Sequence, residues 1–197
     1  MLFTSAPVSN SRLITTITSH FLFRAPRSDQ AGFIKDALDR LGRSLGYRVS
    51  SPETTRQHSP REWLLDVVWW QPGAGTMLAA KWEWGNAGDI MHGFEKLMSV
   101  KAPLKMMVFC TRQAGAERPD ILLRTDSDAV LQALGASLID FSQHLEGETY
   151  VLLEYMEDTS AFRAYEFRAP GDGRLATTFE GAKALFRYVE GVSLTAA

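Results

Sequence analysis

Apolar residues recur at helical spacing from Ile34 through Ala37, Leu38 and Leu41 to Leu45, predicting a first helix that opens at Ser28-Asp29 and closes near Gly46. "GYRVS" then reads as a short strand. "SPETTRQHSP", with two prolines and no apolar residue, reads as an exposed loop. Two strand-like stretches follow at 61–70 and 76–84, rich in tryptophan and valine and joined by the turn composition "QPGAGT". Asn86 is placed to cap a second helix, with Asp89 three residues on and Ile90, Met91, Phe94, Leu97 and Met98 along one face. The almost uninterrupted apolar run "LKMMVFC", 104–110, predicts a strand buried on both faces. A strand, a helix and such a strand imply a right-handed parallel crossover.

Helical spacing returns from Asp126 to Leu145, with Val130, Leu131, Leu134, Leu138 and Phe141 inward. "TYVLLEYME" and "FRAYEFRA" read as strands of a hairpin around "DTS", and "GAKALFRYVEG" as a closing helix. The expected fold is α/β, a mixed sheet flanked by helices. It forms a single domain over 1–197, with a core over about 29–110 and an α/β extension over about 120–197.

At 197 residues and 45% hydrophobic, the chain has enough apolar surface for one substantial core. A net charge of −2 excludes a generally polycationic nucleic-acid binder. Between Phe21 and Arg61, however, eight basic residues face four acidic ones, a local excess of four. Cys110 is the single cysteine, so no intrachain disulfide forms and a reducing compartment is expected. The opening "MLFTSAPVSNSRLITTITSHFLFR" has no basic leader, and no apolar run approaches a membrane span. A soluble, cytoplasmic protein with no membrane partner is the expectation.

Candidate chemistry centres on "WLLDVVWWQPGAGTMLAAKWEWGN", which holds all five tryptophans and sets Asp66, Lys81 and Glu83 among apolar residues. If Asp66 lies opposite Lys81 in an antiparallel pair, Trp63 lies opposite Trp84 and Trp70 opposite Met77, leaving 71–76 as the connection. One face of the hairpin then carries Trp63, Leu65, Val67, Trp69, Ala80, Trp82 and Trp84. The other carries Leu64, Asp66, Val68, Trp70, Met77, Ala79, Lys81 and Glu83, so the three charges converge. Two readings follow. Either Asp66 and Lys81 form a cross-strand ion pair flanked by Glu83, or the two carboxylates hold Mg²⁺ while the ammonium stabilises a phosphoryl oxygen or orients water.

An acid inside an apolar strand, a turn, and an acid-x-lysine type of strand, set in this element order, resemble the PD-(D/E)XK nuclease-like superfamily. The cadence "LLDVVWW", "LAAKWEWGN" and "GFEKLMSVKAPLKMMVF" is similar to uncharacterised bacterial restriction-endonuclease-like proteins whose second motif strand reads Glu-x-Glu-Trp-Gly. The resemblance implies a restriction-endonuclease-like α-β-β-β-α-β core, Asp66 and Glu83 as metal ligands, Mg²⁺ as cofactor, and Asp66, Lys81 and Glu83 as catalytic residues. It implies hydrolysis of a nucleic-acid phosphodiester, with the basic segment Arg24–Arg61 lining the approach. The sequence departs from the pattern where it matters most, because Lys81 stands where the second acidic ligand is expected. The alternative is an inactive binding or regulatory protein on the same fold, with nucleic acid or another protein as partner.

Other polar residues carry less. His20, His58, His92 and His144 have no cysteine at zinc spacing. His92 and Glu95 lie a helical turn apart and are expected at the surface, with Glu95 or Lys96 as substitutes for a missing group if that helix borders a cleft. Asp36 and Asp39 fall on the polar face of the first helix, "GAGT" lacks the lysine of a phosphate loop, and Cys110 ends a buried strand.

Overall fold

The computed structural model describes residues 30–51, 64–110, 127–145, 147–156, 161–168 and 184–187. The elements are α1 (Gln30–Ser44), β1 (Arg48–Ser50), β2 (Val67–Gln71), β3 (Gly75–Glu83), α2 (Ala87–Met98), β4 (Leu104–Cys110), α3 (Ser127–Asp140), β5 (Thr149–Met156), β6 (Ala161–Arg168) and β7 (Ala184–Arg187). The strands form one seven-stranded sheet in chain order. Pairing is antiparallel from β1 to β3, parallel from β3 through β4 to β5, and antiparallel again to β6 and β7. The fold is α/β, a mixed sheet flanked by helices. Among the described residues, no helix is long and apolar enough to cross a membrane.

Local chemistry accounts for the elements around the tryptophan hairpin. The predicted Asn86 cap forms in full: its side chain accepts from the Asp89 N–H, and Asp89 accepts from the Asn86 N–H. This reciprocal cap starts α2 immediately after β3. The helix returns the chain so that β4 runs parallel to β3, with Leu78 to Glu83 matched against Leu104 to Phe109. Every residue of β4 is buried, as its apolar run requires. That strand is central, with parallel partners on both sides.

The expected register of β2 on β3 holds for Val67↔Ala80, Val68↔Ala79 and Trp69↔Leu78. It then slips by one at Trp69/Trp70, so Trp70 lies opposite Thr76 instead of Met77. This bulge shortens the connection to Pro72, Gly73 and Ala74, and Gly73 and Gly75 take the left-handed backbone that the tight return needs. A period-two reading cannot foresee an inserted residue.

Two further expectations need correction. "GAKALFRYVEG" was expected to close the fold as a helix, but Ala184–Arg187 form β7, antiparallel to β6. A short apolar run fits either period, and the unpaired backbone edge of β6 selects the strand. Leu65 was expected beside Val67 and Trp69, yet it packs on the opposite face with the α2–α3 cluster. The cause is at Asp66, whose N–H bonds to Ala80 O at 2.9 Å although Val67 is the Cα partner of Ala80, so the alternation breaks before the strand begins. Trp63, the Ser28-Asp29 cap, the loop after Pro52 and the "DTS" turn lie outside the described residues.

Each sheet face carries a core. α1 covers one, where Ile34, Ala37, Leu38 and Leu41 meet Val67, Trp69, Leu78, Ala80 and alternate residues of β4 and β5. α2 and α3 cover the other, where Phe94, Leu97, Leu134 and Leu138 meet Ala79, Met107, Phe109, Tyr150 and Leu152. Contact on the α1 side is close at Gly42: a Cβ there would stand 2.5 Å from Trp69 Nε1 and 2.7 Å from Val49 Cγ2. Trp69 is fully buried and stacks on Tyr47, so it has no room to retreat. Gly42→Ala is expected to destabilise the protein by about 1–3 kcal/mol despite its better helix propensity, read as a lower urea midpoint.

Candidate functional site

β2, β3 and α2 together position the charged triplet. Asp66 precedes β2, Lys81 and Glu83 lie two residues apart on β3, and the three side chains meet, as the sequence predicts. Asp66 Oδ2 accepts a hydrogen bond from Lys81 Nζ at 3.1 Å and another from the Trp82 backbone N–H at 2.8 Å. Lys81 Nζ lies 3.2 Å from Glu83 Oε1. The ammonium therefore sits between the two carboxylates and contacts both. The side chains of Asp66, Lys81 and Glu83 are 17%, 15% and 26% exposed, which places the triplet just beneath the surface.

Glu83 owes its position to the helix beside it. Gly93, on the buried face of α2, leaves space that Glu83 enters; a Cβ there would meet Glu83 Cγ at 2.7 Å. The sequence contained this signal in "HGFEKL", a glycine within an otherwise strong helical pattern.

Electrostatics within the triplet favour the lysine cation. Burial pulls the Lys81 ammonium down, but the charges of Asp66 and Glu83 and their hydrogen bonds outweigh it, and Lys81 stands above its ordinary value. For Asp66, burial pushes the carboxyl up more than Lys81 and the Trp82 N–H pull it down, so it stands above the usual carboxylate range. A lysine that holds its proton more firmly is poorly suited to act as a base and well suited to act as a fixed cation.

The remaining candidates are dispersed. His92 and Glu95 are exposed, 68% and 63%, with Nδ1 3.8 Å from Oε2, and belong to the surface of α2. Asp39 on α1 takes a hydrogen bond from Ser51 at 2.8 Å and pairs with Lys35 at 3.4 Å, while Arg40 bonds to Asp36 O. Lys35 and Arg40 thus engage the helix's own acids and backbone. Arg48 of β1 lies over the Trp70 ring, 4.9 Å from its centre. Arg24, Arg27, Arg56 and Arg61 lie outside the described residues. Cys110 is buried at the end of β4. Among the described residues, no group of three or more His, Cys, Asp or Glu gathers at metal-ligand geometry.

A second polar cluster, not anticipated from the sequence, lies where β4 and β5 begin. Lys105 Nζ pairs with Glu148 Oε1 at 2.6 Å and donates to Met98 O and Tyr150 Oη. His144, set aside above for want of a cysteine at zinc spacing, contacts Glu148 and Tyr150 through Nδ1 and Leu138 O through Nε2. Lys105, Glu148 and Tyr150 are at most 1% exposed. Burial, with Lys101 nearby, draws the Lys105 ammonium below its ordinary value although Glu148 opposes this. Burial and then Glu148 push the Tyr150 hydroxyl far up, so it remains a proton donor. The lone lysine in "LKMMVFC" was the legible sign: a cation inside a buried strand requires a buried acid somewhere.

No protein-family model matches the chain, and no curated protein matches it in sequence.

Proposed function

We propose that this chain is a binding or regulatory protein on a restriction-endonuclease-like core, in which the Lys81 ammonium stands where such a fold would place a divalent cation. The core assignment is supported by the succession α1-β1-β2-β3-α2-β4, with a parallel crossover after an antiparallel meander. One observation carries the functional reading: Lys81 Nζ is 3.1 Å from Asp66 and 3.2 Å from Glu83. Those two carboxylates are the proposed metal ligands, and one ammonium between them already neutralises half their charge. A Mg²⁺ ion bridging them would lie against a fixed positive charge that cannot coordinate it. Asp66 Oδ2 is further committed to the Trp82 N–H. The residues present therefore do not fit Mg²⁺, and no hydrolytic step is derived through it.

The rival reading, Mg²⁺-dependent phosphodiester hydrolysis by Asp66, Lys81 and Glu83, makes a different prediction in one experiment. Full-length protein is mixed with single- and double-stranded DNA and RNA at millimolar Mg²⁺ or Mn²⁺, and both cleavage and thermal midpoint are followed. On the binding reading the wild type shows no ion-dependent cleavage and no ion-dependent stabilisation. Ion-dependent cleavage that is lost in Glu83→Ala would overturn it.

A further inference from the structure

β4 and β5 form a parallel pair in the middle of the sheet, with Leu104 to Cys110 aligned on Thr149 to Tyr155. All of these residues are buried. A parallel ladder repeats every two residues, so a slip by two remakes its interior hydrogen bonds and returns each side chain to its own face. Hydrophobic patterning does not choose between such alignments. On the α1 side, Leu104, Met106 and Val108 meet Val151 and Leu153, and apolar side chains face apolar ones after a slip as before it. Strands buried on both faces lack the alternation of polar and apolar positions that otherwise sets register.

The polar side chains of this pair are unevenly shared. His144, Glu148 and Tyr150 all belong to the chain that leads from α3 into β5. His144 Nε2 lies 2.8 Å from Leu138 O, and Glu148 Oε2 accepts from the Leu145 N–H at 3.3 Å and from Tyr150 Oη at 3.1 Å. These contacts would travel together if β5 moved. Lys105 is the one charged residue in β4, and it is anchored to its own side of the structure by donating to Met98 O at 2.8 Å, at the end of α2. The same ammonium donates to Tyr150 Oη at 3.0 Å and forms an ion pair with Glu148 Oε1 at 2.6 Å. One buried cation thus joins the α2–β4 unit to the α3–β5 unit. Lys101 also crosses between them, to Gln143 O at 3.0 Å, but that bond is exposed to water.

We propose that Lys105 fixes the alignment of β5 on β4, and that this selection of one register, more than added stability, is the role of its buried contacts with Glu148 and Tyr150. A slip by two residues is a shift of about 7 Å. In one direction it sets Leu152 beside Lys105 and draws Glu148 away, leaving two charges buried apart. In the other it carries Tyr150 from Lys105 to Met107, and the ammonium loses its hydroxyl acceptor. Both alternatives are penalised by this one side chain, whereas the native alignment satisfies it. Replacing a buried ion pair by uncharged side chains often costs no stability, and the choice of one register among near-equivalent ones is its best-attested use.

The test compares the full-length wild type with the double variant Lys105→Met and Glu148→Gln by NMR, reading backbone proton contacts between β4 and β5. The wild type should show Met106 against Val151 alone. The variant should fold, with a urea midpoint near that of the wild type, but lose its single set of resonances and gain contacts from Met106 to Leu153 or to Thr149. A variant with one sharp set and only the Met106–Val151 contacts would overturn the proposal. Failure of the variant to fold would overturn it as well, because the pair would then be a requirement of stability. Contacts from Met106 to Thr149 or Leu153 in the wild type would do so without any variant.

Discussion

Replacing Lys105 by methionine is expected to cost about 3–5 kcal/mol of folding stability, because it leaves the Glu148 carboxylate buried without its partner at 2.6 Å. Chemical denaturation of the variant beside the wild type measures this. Volume is nearly conserved, so the loss reports charge and not a cavity. Met98 O, at the end of α2, also loses its donor. The double variant Lys105→Met with Glu148→Gln is expected to recover much of the loss, since removing both charges removes the desolvation that each imposes. Such recovery is consistent with the direction of the Lys105 shift. An ammonium drawn below its ordinary value contributes less at neutral pH than near 10.5, so its own contribution improves as pH rises through its folded value.

The second large effect is expected at Lys81. Lys81→Met leaves Asp66 and Glu83 facing each other across the former ammonium position. The predicted loss is about 2–3 kcal/mol at neutral pH, below the fully buried case because these side chains retain some exposure. Two carboxylates without their cation should both be pushed up, so their penalty is absent at acid pH and grows as pH rises through the carboxylate range. Urea midpoints at pH 4 and pH 7 should therefore converge with the wild type at the lower value and separate at the higher. The wild type itself has the linkage of a raised ammonium: stability from Lys81 is present below about 10.5 and is lost as pH rises through its higher folded value. Loss of equal size at both pH values would mean that Lys81 acts through packing of its stem and not through charge.

Much of the architecture was legible because period and capping agree locally. The Asn86 cap, the apolar β4 and the first helix each follow from a few residues whose preferences point the same way. That Lys81 and Glu83 share a face was legible too, because residues two apart on a strand point the same way; Asp66 joins them from just before β2, held by Lys81 and the Trp82 N–H. What escaped the sequence is non-local. The slip at Trp69/Trp70 depends on how the turn closes, and the strand at Ala184–Arg187 depends on an edge supplied by β6. The Lys105 cluster gathers residues 105, 144, 148 and 150, whose proximity requires β4 and β5 to be parallel neighbours. A lone lysine announces the need for an acid but not which acid answers it. Glu148 precedes its strand in a turn beside Gly147, which has φ 71, and no hydrophobic period marks that place.

Among the described residues, one rim of the sheet is formed by β1, a strand of only three residues with Arg48 and Ser50 exposed. A template this short offers few free backbone groups to an incoming chain, and a guanidinium at its start is costly to desolvate. The neighbouring bulge in β2 also increases local twist, which misaligns a flat visitor. Fibrillar stacking through this margin is thereby discouraged, so a substitution that straightened the bulge would be a hazard to colloidal behaviour even where thermal stability improved.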